Sequence, residues 1–190
     1  MSARGPRSHR IVAKTVTVDL RVLFDEHYPS IWRLLRRLGV AAGQLDDAAQ
    51  EVFWVAARRL ADIEPGRAHS FLYGVALRIA ANELRRQRSA MPLFDSDRVR
   101  ALRDEGPSPE EQMVKRQARE LLDEVLDRLP TELRTVFVLF ELEGLEVRHI
   151  AQLERIPVGT ASSRLRRARE EFSAITKRVR AGLSAGGGYP

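Results

Sequence analysis

The sequence predicts an all-α protein of two small helical domains joined by a flexible acidic linker. The second domain is expected to be a winged-helix-like four-helix unit without strands, built around a helix-turn-helix. Three observations predict this. Apolar residues recur at steps of three and four along most of the chain, the spacing of a helix with one buried face. The pattern stops at "SAMPLFDSDRVRALRDEGPSPEEQ", which holds three prolines. It then resumes and ends in a helix, a short turn and a second, arginine-rich helix. The expected division is a basic arm over 1–18, a first domain over 19–89, a linker over 90–111, a second domain over 112–180 and a disordered tail over 181–190.

The first helix spans Leu20 to Leu38, with Leu20, Leu23, Phe24, Tyr28, Ile31, Leu35 and Leu38 on one face. The second runs from about Leu45 to Leu60 and buries Leu45, Ala48, Ala49, Val52, Phe53, Ala56 and Leu60. "DIEPGRA" interrupts with Pro65 and Gly66. A third helix, roughly Ser70 to Arg88, is apolar on more than one side and is therefore expected to sit centrally between neighbours. Between Phe94 and Gln112 six acidic and three basic residues give the linker a local charge of 3 − 6 = −3. In "SPEE", Ser108 can cap a helix, Pro109 suits its first position and Glu111 completes a capping box. The second domain continues from Met113 to Leu129, restarts at Pro130-Thr131 through Glu143, and closes with two shorter helices flanking "ERIP".

Composition bounds the function. The 190 residues carry a net charge of +6 and a pI near 10.4, a balance that favours anionic partners. Without cysteine there can be no disulfide or thiolate metal site, which fits a reducing compartment. No apolar run approaches the roughly 20 residues needed to span a bilayer. The N-terminal "MSARGPRSHRIVAKTVTV" lacks the apolar core of a secretory signal. The expectation is a cytoplasmic protein with no membrane insertion. The four histidines, His9, His27, His69 and His149, are scattered, and no nucleophile, glycine-rich phosphate loop or H-E-x-x-H pattern accompanies them. No enzymatic activity, cofactor or metal is expected.

The stretch "PVGTASSRLRRARE" places four arginines in six positions. Val158, Ala161, Leu165, Ala168 and Phe172 recur at helical spacing, so this stripe is expected to face inward. It leaves Gly159, Ser163, Arg166, Arg167 and Glu170 outward, with Thr160, Ser162, Arg164 and Arg169 on the flanks. A helix-turn-helix puts the start of its second helix in the major groove. Thr160, Ser162, Ser163 and Arg166 are thus candidates for base edges, and Arg164, Arg167 and Arg169 for phosphates. The plainer reading is a solvated charged helix.

The second helix turns Asp47, Gln50, Glu51, Trp54 and Arg58 away from its apolar stripe. A tryptophan in the middle of a polar face is either covered by another helix of its domain or offered to a partner protein. The acids Asp46, Asp47 and Glu51 have no histidine at ligand spacing, which argues against a metal site. On the third helix Arg78, Asn82 and Arg85, with Arg86 and Arg88 just beyond, form either ordinary surface charge or a stripe for phosphates and base edges.

These segments, in this order, resemble the small two-domain sigma factors of bacterial RNA polymerase, the extracytoplasmic-function type of the sigma-70 family. The resemblance covers residues 20–178. "LFDEHYPSIWRLLRRLG" is similar to the family's first helix. "LDDAAQEVFWVAARRL" resembles its D-A-x-Q-E-V-F segment, and "FLYGVALRIAANELRRQR" its W-L-x-x-I-A-x-N helix. "LDRLPTELRTVFVLFELEGL" resembles L-P-x-x-x-R-x-V-F-x-L, and "IPVGTASSRLRRARE" the recognition helix G-T-V-K-S-R-L-x-R-A-R.

The resemblance implies an alternative sigma factor that binds core polymerase through its largest-subunit clamp helices and flap. Asp47, Gln50, Glu51, Trp54 and Arg58 would dock the first domain. Arg67 and His69 in the loop after the second helix, with Arg78, Asn82, Arg85, Arg86 and Arg88, would hold the −10 element as an opened strand. The second domain would read the −35 element. The resemblance also implies a cognate anti-sigma factor, a free protein that is monomeric, and a linker that threads the polymerase channels. Arg78 stands where the family usually has Asn, Asn82 where Asp is common, Phe71 for Trp, Ala161 for Val and Ser162 for a basic residue. The rival reading is a dimeric helix-turn-helix regulator acting without polymerase, which predicts tight duplex binding by the isolated protein and no role for Trp54.

Overall fold

The computed structural model describes residues 19–64, 66–89 and 109–186. The expected arm, most of the expected linker and residues 187–190 lie outside them. Among the described residues the chain is helical, with no strand. The helices are α1 (Leu20–Leu38), α2 (Leu45–Arg58), α3 (Ala68–Ser89), α4 (Pro109–Asp127), α5 (Thr131–Phe137), α6 (Val147–Glu154) and α7 (Val158–Gly186).

The first unit packs α1, α2 and α3 against one another. Asp19 caps α1 by accepting the backbone N–H of Arg21 at 2.8 Å. Gly39, at φ 98°, closes α1 in the left-handed conformation that only glycine adopts without strain. The stripe expected on α2 is buried from Leu45 to Ala56, with Leu60 partly covered in a 3-10 turn that follows the helix. Each such leucine or phenylalanine stabilises the unit by roughly 1.5–3 kcal/mol relative to exposure. Trp32 and Leu34 are buried in addition to the predicted face, so α1 is covered on more than one side. Trp32 donates its indole N–H to Asp46 at 2.9 Å, which gives that carboxylate a structural partner.

In the second unit α4, α5 and α6 pack on α7. Between α5 and α6 the backbone widens into a π-helical segment, Val138–Leu142. Adding one residue to a turn rotates every later side chain by about 100° relative to an unbroken α-helix. In this register Glu143 faces the first unit. Two expectations about the end of the chain are corrected. The last helix is not short but runs 29 residues, and it continues to Gly186, into the stretch expected to be a disordered tail. Its apolar residues persist through Ile175 and Val179, both buried, which carries the helix well past the turn motif.

The two units also touch directly, which the picture of domains on a tether did not include. α5 and the π segment lie against α1. Arg36 donates to Asp123 at 2.6 Å, and Arg37 to Glu143 at 2.8 Å. Tyr73 on α3 donates its hydroxyl to the other oxygen of Glu143 at 2.5 Å. Arg134 lies against the Cα of Gly39, where a side chain would collide with its guanidinium. Burial lowers its pKa, Asp127 at 3.2 Å partly offsets that, and its Nε has no partner. Leu153 of α6 packs on Gly74 of α3. The all-round apolar character of α3 thus has its explanation in two neighbours, its own domain and the other.

Candidate nucleic-acid interface

The helix-turn-helix is α6, a tight turn, and α7. Arg155, at φ 55°, ends α6 in the left-handed region, and the N–H of Ile156 bonds back to the carbonyl of Ala151 at 3.0 Å. This is the helix-stopping arrangement usually given to glycine. It acts one residue before the Ile156-Pro157 pair from which the stop was expected. Ala161 and Ala168 are fully buried and Leu165 nearly so, while Phe172 stacks on Phe137 at 4.5 Å. The inward stripe is therefore present from Ala161 onward. Val158 is the exception: it was expected inside and is 47% exposed. It stands at the first position of α7, after α6 has ended.

With that stripe buried, Ser162, Ser163, Arg166 and Arg167 are exposed, and Thr160 and Arg164 are half-buried. Ser162 and Ser163 donate their hydroxyls to the carbonyls of Val158 and Thr160 at 3.0 and 2.9 Å, which orients both oxygens as acceptors. Arg166 pairs with Glu170 one turn on, at 2.9 Å. Arg164 acts electrostatically on Glu154, whose pKa burial raises and the guanidinium partly restores. Arg169 is more committed to the fold. It bonds Glu141 at 2.6 Å and lies 5.1 Å from the centroid of the Phe140 ring.

On α3, Arg78, Asn82 and Arg85 are exposed along one stripe. Arg78 donates to the carbonyl of Gly74 at 3.1 Å, and Arg85 hydrogen-bonds Asn82. Arg86 pairs with buried Glu83 at 2.6 Å, and Arg67 with Glu64 at 3.0 Å in the preceding loop. Arg88 lies in the last turn. His69 does not join this group. Its ring lies 3.9 Å from that of Tyr73 and 6.1 Å from His27, half-buried beside Glu143 and His149 of the second unit.

The α2 face is as solvent-open as its polarity suggests. Asp47, Gln50, Glu51 and Arg58 are exposed, and Trp54 remains 68% exposed, with the Arg58 guanidinium 5.6 Å from its ring centroid. No helix of its own domain covers it. The residues that join the two units, Arg36, Arg37, Tyr73, Asp123, Arg134 and Glu143, were missed by sequence reasoning. Their only signal was the apolar excess on α3.

The described residues thus present two separate basic surfaces, on α3 and α7, and an exposed aromatic on the polar face of α2. Comparison with known proteins gives a family for both halves. Residues 23–90 match the family model for sigma-70 region 2, and residues 119–172 that for sigma-70 region 4. The chain is similar to the ECF RNA polymerase sigma-E factor of Escherichia coli, at 34% identity over 139 residues, covering 69% of this chain and 73% of that one. It is also similar to the RNA polymerase sigma-H factor of Pseudomonas aeruginosa, at 34% over 163 residues, covering 80% and 82%. The fold is shared with two solved structures. One is CnrH in complex with the cytosolic domain of CnrY, with a TM-score of 0.60, 22% identity and coverage of 84% and 88%. The other is the sigma factor RpoE of Bartonella quintana in complex with the anti-sigma factor NepR, with a TM-score of 0.66, 17% identity and coverage of 84% and 97%. The chain belongs to the ECF sigma factors of the sigma-70 family. It is an alternative sigma factor that directs promoter recognition together with core RNA polymerase. Among the described residues no helix is long and apolar enough to cross a membrane.

Proposed function

We propose that the division of labour follows the two halves. The α7 face places Thr160, Ser162, Ser163 and Arg166 at base edges of the −35 element. Arg164, Arg167 and Arg169 hold the flanking phosphates and set the register. The α3 stripe of Arg78, Asn82, Arg85, Arg86 and Arg88, with Arg67 from the preceding loop, holds the opened −10 strand. The face made by Asp47, Gln50, Glu51, Trp54 and Arg58 docks on the clamp helices of the largest polymerase subunit, and the second unit on the flap. The factor acts in the cytoplasm, carries no catalytic activity of its own, needs no cofactor, and is a monomer when free. Two structural relatives were solved with another protein bound, in one case a protein described as an anti-sigma factor, and this supports a cognate anti-sigma factor here.

The observation that carries this reading is the exposed Trp54 on an otherwise polar helix, which a regulator acting without polymerase would not need. Two variants test it in run-off transcription with purified core polymerase. Trp54→Ala is expected to weaken core binding by at least tenfold, as truncating an interface anchor does, and to change stability by less than about 0.5 kcal/mol. Arg166→Ala is expected to leave core binding intact and to reduce −35-dependent initiation. Normal core affinity of the Trp54 variant would remove the docking assignment.

A further inference from the structure

Among the described residues the exposed large apolar side chains are Val22, Phe24, Trp54, Met113 and Val158. Of these, Val158 alone stands on the helix-turn-helix. The first hydrogen bond of α7 runs from the N–H of Ala161 to the carbonyl of Pro157 at 3.0 Å, so Val158 is the first helical residue. The apolar pair that fastens a helix start lies one residue before the cap and at the fourth helical position. Here those positions hold Ile156, half-buried, and Ala161, fully buried. Val158 is neither, and it is 47% exposed. A β-branched side chain is also a weaker helix former than alanine, so neither packing nor helix propensity asks for valine here.

Side chains on a helix lean toward its N-terminus, which carries the Val158 isopropyl group past the start of α7. That start is the end a helix-turn-helix inserts in the major groove. Gly159 follows, and a Cβ on it would meet nothing within 4 Å, so the space beside the valine is open. No charged residue occurs in α7 before Arg164. The leading end therefore offers one branched apolar group and the oxygens of Ser162 and Ser163. Both oxygens accept, because their protons go to the carbonyls of Val158 and Thr160. In the major groove the groups that tell bases apart are hydrogen-bond donors and acceptors, with one exception, the C5-methyl of thymine. An isopropyl group pressed on a polar edge dehydrates it without return. Against a methyl, both apolar surfaces leave water and both gain.

We propose that Val158 is a specificity-determining residue, which reads a thymine methyl in the −35 element. The inference rests on the assignment of α7 to that element made above, and adds to it a base-edge contact that uses no hydrogen bond. It also accounts for a valine that shares the spacing of the inward stripe and yet stands outside it: the apolar surface is completed by DNA rather than by α6. Burying one methyl group corresponds to about fourfold in affinity. That effect is small against the phosphate contacts of the arginines, but it distinguishes one base from three others.

The test uses the full chain bound to core polymerase and a promoter taken from run-off transcription of genomic fragments, with affinity measured at one fixed salt concentration. Each thymine on either strand of the −35 element is replaced in turn by uracil, which lacks only the methyl. At one position, or at two adjacent ones, uracil should lower the affinity of the native holoenzyme about fourfold. Val158→Ala should lower affinity for the thymine promoter about three- to tenfold and be blind to uracil at that position. It should leave thermal unfolding of the free chain unchanged. Arg167→Ala, which removes a phosphate contact, should weaken binding yet keep the full uracil effect. Uracil tolerated at every position, or an undiminished uracil effect in Val158→Ala, overturns the assignment of the valine. Replacing the whole −35 element by unrelated sequence separates that failure from a wider one. If initiation survives the replacement, α7 does not read the element and both readings fall. If initiation is lost while the valine predictions fail, the reading of α7 stands and only the role of Val158 is refuted.

Discussion

The crossing of α6 on α7 is apolar throughout, whereas the seam between the two units adds ion pairs to an apolar cluster that both units share. At the crossing, Ile150, Ala151, Ala161 and Leu165 are buried, and small residues bring the backbones together. At the seam, arginines meet carboxylates and a tyrosine hydroxyl. The first arrangement holds a reading helix rigid against its support, because apolar surface once buried returns to water only at a cost proportional to its area. The second adds groups that water also solvates well to that shared apolar contact.

Substitution at the crossing should produce the largest effect. Leu165→Ala is expected to destabilise the second unit by about 2–4 kcal/mol, the sum of lost burial and an unfilled cavity. Urea denaturation followed by circular dichroism measures it, and the loss should be indifferent to salt. Removing a seam charge should cost less and behave differently. Arg36→Ala breaks the pair with Asp123, whose carboxyl burial pushes up in pKa and Arg36 pulls back down. Both side chains are nearly a third exposed, so solvent screening limits the loss to about 0.5–1.5 kcal/mol. Most of it should vanish in 1 M salt, where the Debye length is about 3 Å. A loss equal at low and high salt would contradict the contrast between the two interfaces.

The smallest effect concerns pH. Burial lowers the pKa of His69, and nearby His27 and His149 lower it further, while Glu143 opposes them. The native form therefore prefers the neutral ring, and the unfolded chain binds the proton more readily. The contribution of His69 to the native form is complete above its ordinary value of about 6.5 and is lost as pH falls through that value toward the lowered one. The urea midpoint of the full chain should fall modestly between pH 7 and pH 5.5, and His69→Gln should flatten that part of the profile. Unchanged pH dependence in the variant would remove His69 from the seam's energetics.

How much was legible follows the same division. The α2 stripe from Leu45 to Ala56 and the α7 stripe from Ala161 to Phe172 could be read directly, because burial inside a domain selects apolar residues at the period of the helix. The exposure of Ser163, Arg166 and Arg167 follows from those stripes alone. Val158 was misplaced because periodicity assumes a neighbour opposite every position, and α6 has already turned away there. His69 was grouped with the α3 arginines through resemblance. It stands instead in the first turn of α3, and the sequence does not reveal that this turn meets the second unit.

Local sequence alone determined the helices, the helix-turn-helix and its outward basic face, since each depends on residues a few positions apart. Tertiary structure alone decided that Arg36, Arg37 and Tyr73 meet Asp123 and Glu143, pairs separated by 70 or more residues. Charged side chains carry no period and are equally at home in water. Only the approach of the two units, set partly by the π turn before Glu143, shows which of the many arginines and acids become partners.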